Sequence, residues 1–88
     1  MRLDKYLKVS RVIKRRTLAK DIIDIGLIKV NGKTAKPSTS VKVDDFIELA
    51  LGERTLVVKV TSLLPYAKKD DASSMFEIIS ENVIKNPL

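Results

Sequence analysis

The sequence predicts an α+β fold in which two N-terminal helices pack on a small twisted antiparallel sheet of four or five strands. Three observations predict it. Apolar residues recur at helical spacing over the first 25 residues, the period falls to two beyond Leu27, and an Asn31-Gly32 pair marks a hairpin where the change occurs. Neither an amphipathic helix nor a one-sided sheet can bury its apolar side alone, so the two must share one core.

Leu3, Tyr6 and Leu7 stand at i, i+3 and i+4, which predicts a first helix over about residues 2–9. Arg2 and Lys5 fall on its other side. The pattern loosens over Arg11–Arg15, where a turn is expected. A second helix is predicted from Arg16 to Ile25. At about 100° per residue, Arg16, Thr17, Lys20, Asp21 and Asp24 share one side, and Leu18, Ala19, Ile22, Ile23 and Ile25 the other. Gly26 follows the last apolar residue, where a left-handed residue ends many helices. Asp24 sits near the C-terminal end, where the macrodipole disfavours an acid, so helix stability does not account for it.

Ile28 and Val30 then alternate with Lys29 as a short strand. Asn31-Gly32 predicts a type I′ turn, because both residues tolerate positive φ. A return strand over Lys33–Lys36 is broken by Pro37 and the polar residues 38–40. Val41 and Val43 resume alternation before a polar turn at Asp44-Asp45. Phe46–Leu51 and Thr55–Val60 read as strands joined through Gly52-Glu53-Arg54, with Pro65 closing that hairpin region. Lys68–Ser74 is expected as a polar connection, Phe76–Ile79 as a last strand, and 81–88 as a frayed tail. One domain over residues 1–80 accounts for the whole pattern.

Composition narrows the chemistry. The 88 residues include no cysteine and no histidine, which removes thiol chemistry and the commonest general base and metal ligand. No metal site, cofactor or catalytic constellation is expected, since the paired acids Asp44-Asp45 read as turn chemistry. The N-terminus is charged every two or three residues and no apolar run approaches the roughly 20 residues of a membrane span. A cytoplasmic protein is expected.

Charge is unevenly placed. Residues 1–36 carry eleven Lys/Arg against three Asp, a net of +8, whereas residues 37–88 carry six against eight acids, a net of −2. Such asymmetry points to a polyanion as the partner of the first half. Lys14, Arg15 and Arg16 stand at the start of the second helix, where cations oppose the dipole and repel one another. A phosphate backbone would satisfy them together. No helix offers base-reading Asn or Gln, and the sheet lacks paired stacking aromatics, so recognition of RNA through shape and phosphates is expected. Lys29 and Lys33 flank the hairpin turn and are expected to extend the same basic surface. Tyr6, spaced with Leu3 and Leu7, is assigned to the core. An RNA-modifying fragment, a structural ribosomal protein and a DNA-binding regulator remain open on composition, though the missing His and Cys weigh against the first.

Several runs together carry a resemblance: Arg16-Thr17-Leu18-Ala19, Ile23-Asp24-Ile25-Gly26, Ile28-Lys29-Val30-Asn31-Gly32, Lys36-Pro37-Ser38 and Val41-Lys42-Val43-Asp44-Asp45-Phe46-Ile47. Over about residues 2–50 the chain resembles the S-four-type RNA-binding domain, which implies an αL RNA-binding motif. Where that family has Gly-Asp, this chain has Asp44-Asp45. The stretches Arg2-Leu3-Asp4-Lys5, Leu7-Lys8-Val9-Ser10-Arg11 and Lys14–Lys20 look closer still to a short, stand-alone branch active in ribosome-associated quality control. A non-enzymatic, monomeric factor is expected, and that resemblance implies that its partners are large-subunit rRNA, peptidyl-tRNA and the obstructed large ribosomal subunit. It also implies a tailing factor acting on the same subunit, in support of C-terminal alanine tailing of stalled nascent chains. Arg2 and Arg16 match the family's RNA-contacting positions. Lys5, Lys14, Arg15 and Lys20 are expected to support them, with Arg11, Lys29 and Lys33 completing the surface.

Overall fold

The computed structural model describes residues 1–64 and 68–83. Helix α1 spans Leu3–Val9 and α2 spans Arg16–Ile25. Strands β1 (Ile28–Val30), β2 (Lys33–Thr34), β3 (Phe46–Leu51) and β4 (Arg54–Val60) follow. A one-turn helix α3 (Lys69–Ala72) and strand β5 (Phe76–Val83) complete the described chain. The five strands form one sheet in the order β2-β1-β3-β4-β5, with every neighbouring pair antiparallel. The α+β class, both main helices and the hairpin therefore agree with the sequence reading.

One face of the sheet supplies Ile28, Val30, Ile47, Leu49, Val58 and Val60, and the helices supply Leu3, Tyr6, Leu7, Ala19 and Ile23 to the same core. Tyr6 is fully buried, and its hydroxyl donates to the Met75 carbonyl oxygen at 2.7 Å. Burial pushes its ionisation above the ordinary tyrosine range, so the phenol remains a donor and ties α1 to the chain beyond β4.

The turns follow their residues. Gly26 adopts φ +95° and its N–H reaches back to the Ile22 and Ile23 carbonyls, closing α2 in the left-handed conformation that glycine takes without penalty. Asn31 and Gly32 have φ of 51° and 83°, the type I′ signature. Asn31 also does something no turn rule requires. Its Oδ1 accepts from the Phe46 N–H at 2.9 Å, and its Nδ2 donates to Asp45 Oδ1 at 3.1 Å, locking the hairpin to the turn before β3.

Four elements differ from expectation. On α2, Ala19 and Ile23 are buried but Leu18 and Ile25 are 51% and 72% exposed, so the helix is rolled toward its charged edge. That roll sets the small Ala19 into the core and lets Arg16 reach α1. The return strand stops at Thr34, and residues 41 and 43 lie outside the strands, because the 37–41 segment bonds to the N-terminus instead. The expected polar connection contains α3. Strand β5 runs past Ile79 to Val83, lengthened by pairing with all of β4 across a bulge at Val57/Val58, so the expected tail is ordered at its start. The Pro65 turn lies outside the described residues, as does 84–88.

Candidate nucleic-acid interface

The site is built where α1 begins. Three of the first amides of α1 would lack helical partners. Here Leu3 N–H donates to the Thr39 carbonyl at 2.8 Å, Asp4 N–H to the Pro37 carbonyl at 3.3 Å, and Lys5 N–H to Asp4 Oδ1 at 2.8 Å. Val41 N–H donates to the Met1 carbonyl at 2.8 Å, and Arg2 bridges Ser40. The N-terminus is thereby stitched to the 37–41 segment, which fixes the backbone from which Arg2 projects.

Asp4 is 2% exposed and organises the cations. Its Oδ1 accepts from Arg2 Nε at 3.2 Å and its Oδ2 from Arg2 Nη2 at 3.4 Å. Arg16 Nε reaches the same Oδ2 at 3.4 Å. Both arginine side chains remain about half exposed, at 52% and 49%. A buried carboxylate thus holds two guanidiniums side by side while their remaining N–H donors face solvent. Arginine's planar fork suits it to this double duty, since one edge can be held while another binds.

The rest of the cations are placed by the elements around that pair. Lys20 lies one turn beyond Arg16 on α2, on the same face. Arg15 is the N-cap of α2 and Lys14 precedes it; no side chain caps this helix and its first turn holds no acid. Its N-terminal end therefore presents uncapped amides among cations, a polarity suited to an anion from outside. Arg11 follows α1 with φ +61°, donating its N–H to the Lys8 carbonyl at 3.0 Å in a left-handed closure of the helix. Lys5 is half-buried on α1.

The hairpin lysines part company. Lys29 pairs with Thr34 and Glu48, whereas Lys33 pairs with Val30. Paired residues share a face, so Lys29 lies on the sheet's outer face opposite Glu48, and Lys33 lies on the face that carries the helices. The two do not extend one surface, because across this two-residue turn residues an odd number apart pair and share a face, and Lys29 and Lys33 are an even number apart.

Two residues were missed in the sequence. Asp4 counted only as one of three acids in a basic half, although its place between Arg2 and Lys5 on a helix with apolar neighbours was the available signal. Lys36 joins Arg2 and Lys20 around an open groove of about 530 Å³ between α2 and the 34–38 segment. Only the stitching of the N-terminus to that segment brings these three together.

The S4 domain model matches residues 1–47, which contain every residue of this cluster. The chain belongs to the S4 domain family. The resemblance read from residues 2–50 is borne out, and the likeness extends beyond the S4 domain itself. The chain is 56% identical over 85 residues to a RQC P-site tRNA stabilizing factor of Streptococcus pneumoniae, covering 97% of each chain. It is 52% identical over 81 residues to the factor of the same name from Listeria monocytogenes, covering 92% of this chain and 88% of that one. Among solved structures, trimeric Heat Shock Protein 15 of Vibrio cholerae superposes with a TM-score of 0.83 at 28% identity, over 91% of this chain and 82% of that one. Among the described residues, no helix is long and apolar enough to cross a membrane.

Proposed function

We propose that this S4-domain protein is a non-enzymatic cytoplasmic RNA-binding factor of ribosome-associated quality control. In this reading it binds peptidyl-tRNA and large-subunit rRNA on obstructed large ribosomal subunits. By holding the tRNA in place it supports C-terminal alanine tailing of the stalled chain by a separate tailing factor.

The observation that carries the reading is the pair Arg2 and Arg16 held on buried Asp4, at the mouth of a basic surface. Two fixed guanidiniums at one site suit two neighbouring phosphates better than they suit a diffuse ion cloud. The full-length likeness to proteins named for stabilising a P-site tRNA gives those phosphates their source. The protein's part is positioning, and Arg2, Arg16, Lys20, Lys14 and Arg15 hold phosphate oxygens. Lys5, Arg11 and Lys33 add to the helical side, while Lys29 is left to contact RNA only where the ligand reaches the outer face.

Contact with two RNAs at once raises affinity sharply where both are present. Gradient fractionation should therefore find the protein enriched on large subunits carrying an obstructed peptidyl-tRNA and depleted from polysomes. Arg2→Ala and Arg16→Ala should each remove that enrichment and reduce alanine tails on stalled products. Even distribution over all ribosomal particles, with tails intact in a deletion strain, would return the protein to a general ribosome-associated or ribosome-assembly RNA binder.

A further inference from the structure

One carboxylate of α2 lines the groove among the cations. Asp24 is exposed, stands in the last turn of α2, and lines the groove that Arg2, Lys20 and Lys36 also line. The helix dipole disfavours it there. None of Asp24, Lys20 and Lys36 takes part in an ion pair among the described residues, although all four charged residues line one groove. If Asp24 served only to neutralise lysines, a contact with Lys20 one turn earlier would be the simplest outcome. Asp24 opposes phosphate binding and pairs with no cation among the described residues, so its carboxylate is open to a donor from a ligand.

The groove supplies the rest of a nucleotide's requirements. Its volume, about 530 Å³, lies in the range of small-molecule sites, roughly 300–1,000 Å³. Half-buried Pro37 gives it an apolar edge against which a planar ring can lie. Arg2, Lys20 and Lys36 line the same groove, so the phosphates flanking an unstacked nucleotide can be held while the base turns inward.

We propose that this groove is a single-nucleotide subsite that accepts an unpaired base of the bound RNA and favours guanine. Asp24 accepts hydrogen bonds from the base while Arg2, Lys20 and Lys36 hold the flanking phosphates. Guanine is the base that offers two parallel donors, N1–H and the exocyclic N2–H, to the two oxygens of one carboxylate; uracil offers one N–H, and adenine and cytosine an amino group only. The subsite rests on the RNA-binding reading and adds base preference to a surface otherwise limited to phosphates.

Anisotropy titration of the full chain with RNA hairpins bearing one unpaired nucleotide tests it. The wild type should bind the unpaired-guanosine hairpin roughly tenfold more tightly than the uridine or adenosine hairpin, as expected of a good bidentate pair. Inosine, which lacks the 2-amino group, should fall between. Asp24→Asn should erase the preference while leaving affinity for the uridine hairpin equal or higher, since a negative charge leaves a cationic groove. Lys36→Ala should weaken every hairpin alike and reduce the salt slope by about 0.7–0.9. Equal wild-type affinity for all four hairpins overturns the subsite, as does a guanosine preference that survives Asp24→Asn. Arg16→Ala separates the two readings. If it weakens all hairpins while no base preference exists, the phosphate surface stands and the nucleotide subsite falls; if it weakens none, the RNA-binding site itself is misplaced.

Discussion

The helical part of the molecule and the β3–β5 part of its sheet handle charge in opposite ways. On the sheet, cations meet acids one to one: Arg54 pairs with Glu81 at 3.3 Å and Lys59 with Asp44 at 3.5 Å. On the helices, two arginines converge on one buried acid, and Lys14 and Arg15 crowd an uncapped helix start. Exposed one-to-one pairs add little stability, typically 0–1 kcal/mol by the general rule, but they leave no field outside the fold. A buried acid shared by two cations leaves a net positive surface with fixed donors. The lesson is that net charge alone locates a polyanion surface coarsely, whereas the ratio of cations to the acids that hold them locates its working centre.

The largest test attacks the support under that centre. Ile23→Ala should cost about 2–5 kcal/mol of unfolding free energy, because Ile23 is 1% exposed and lies beside Ala19 in the core. Ile25→Ala, two positions on and 72% exposed, should stay within about 0.5 kcal/mol. Urea unfolding checks both, and equal losses would contradict the rolled orientation of α2.

Arg16→Ala and Arg54→Ala set the two regions against each other directly. The first should weaken RNA binding by about 1–3 kcal/mol with folding little changed, as for a charge-assisted contact. The second should leave RNA binding alone and cost at most about 1 kcal/mol of stability, the upper end for an exposed pair. Binding of the parent should fall by about 0.7–0.9 in log affinity per phosphate for each decade of salt, and Arg16→Ala should shallow that slope. Matching binding losses at Arg16 and Arg54 would erase the distinction.

Asp4→Asn sharpens the comparison through its sign. Removing a negative charge from a basic surface would strengthen RNA binding if bulk charge were what mattered. Because Asp4 holds both guanidiniums, affinity should instead drop, by about 1 kcal/mol, alongside a stability loss of about 1–2 kcal/mol from the weakened hydrogen bonds. A tighter-binding Asp4→Asn protein would make the arginine pair incidental.

The smallest effect is on the sheet side. Asp44 has φ +76°, left-handed backbone that favours glycine. Asp44→Gly should stabilise the fold by a few tenths to about 1 kcal/mol, the relief of strain outweighing an exposed ion pair with Lys59. Asp44→Ala should do the reverse, since it keeps the Cβ and loses the pair. Thermal unfolding of the two variants side by side decides it.

Local chemistry was readable wherever one residue or one period settled the matter. Gly26 and Asn31-Gly32 announced their turns because few other residues take positive φ, and the i, i+3, i+4 spacing of Leu3, Tyr6 and Leu7 put Tyr6 inside. The surplus of cations before residue 37 announced a polyanion, and the ordered motifs of residues 2–50 announced the family. What tertiary structure alone decided were relations between segments distant in the chain. The roll of α2 depends on α1, so a helical wheel could not show that Leu18 and Ile25 face solvent while Arg16 meets Asp4. The faces of Lys29 and Lys33 depend on register across a turn, and the groove of Arg2, Lys20, Asp24 and Lys36 depends on bonds between the N-terminus and residues 37–41. Periodicity reports a residue's surroundings along its own element, and packing energy couples elements that sequence order keeps apart; Asp4, buried at 2% exposure between two arginines fourteen positions apart, is where that coupling becomes the site.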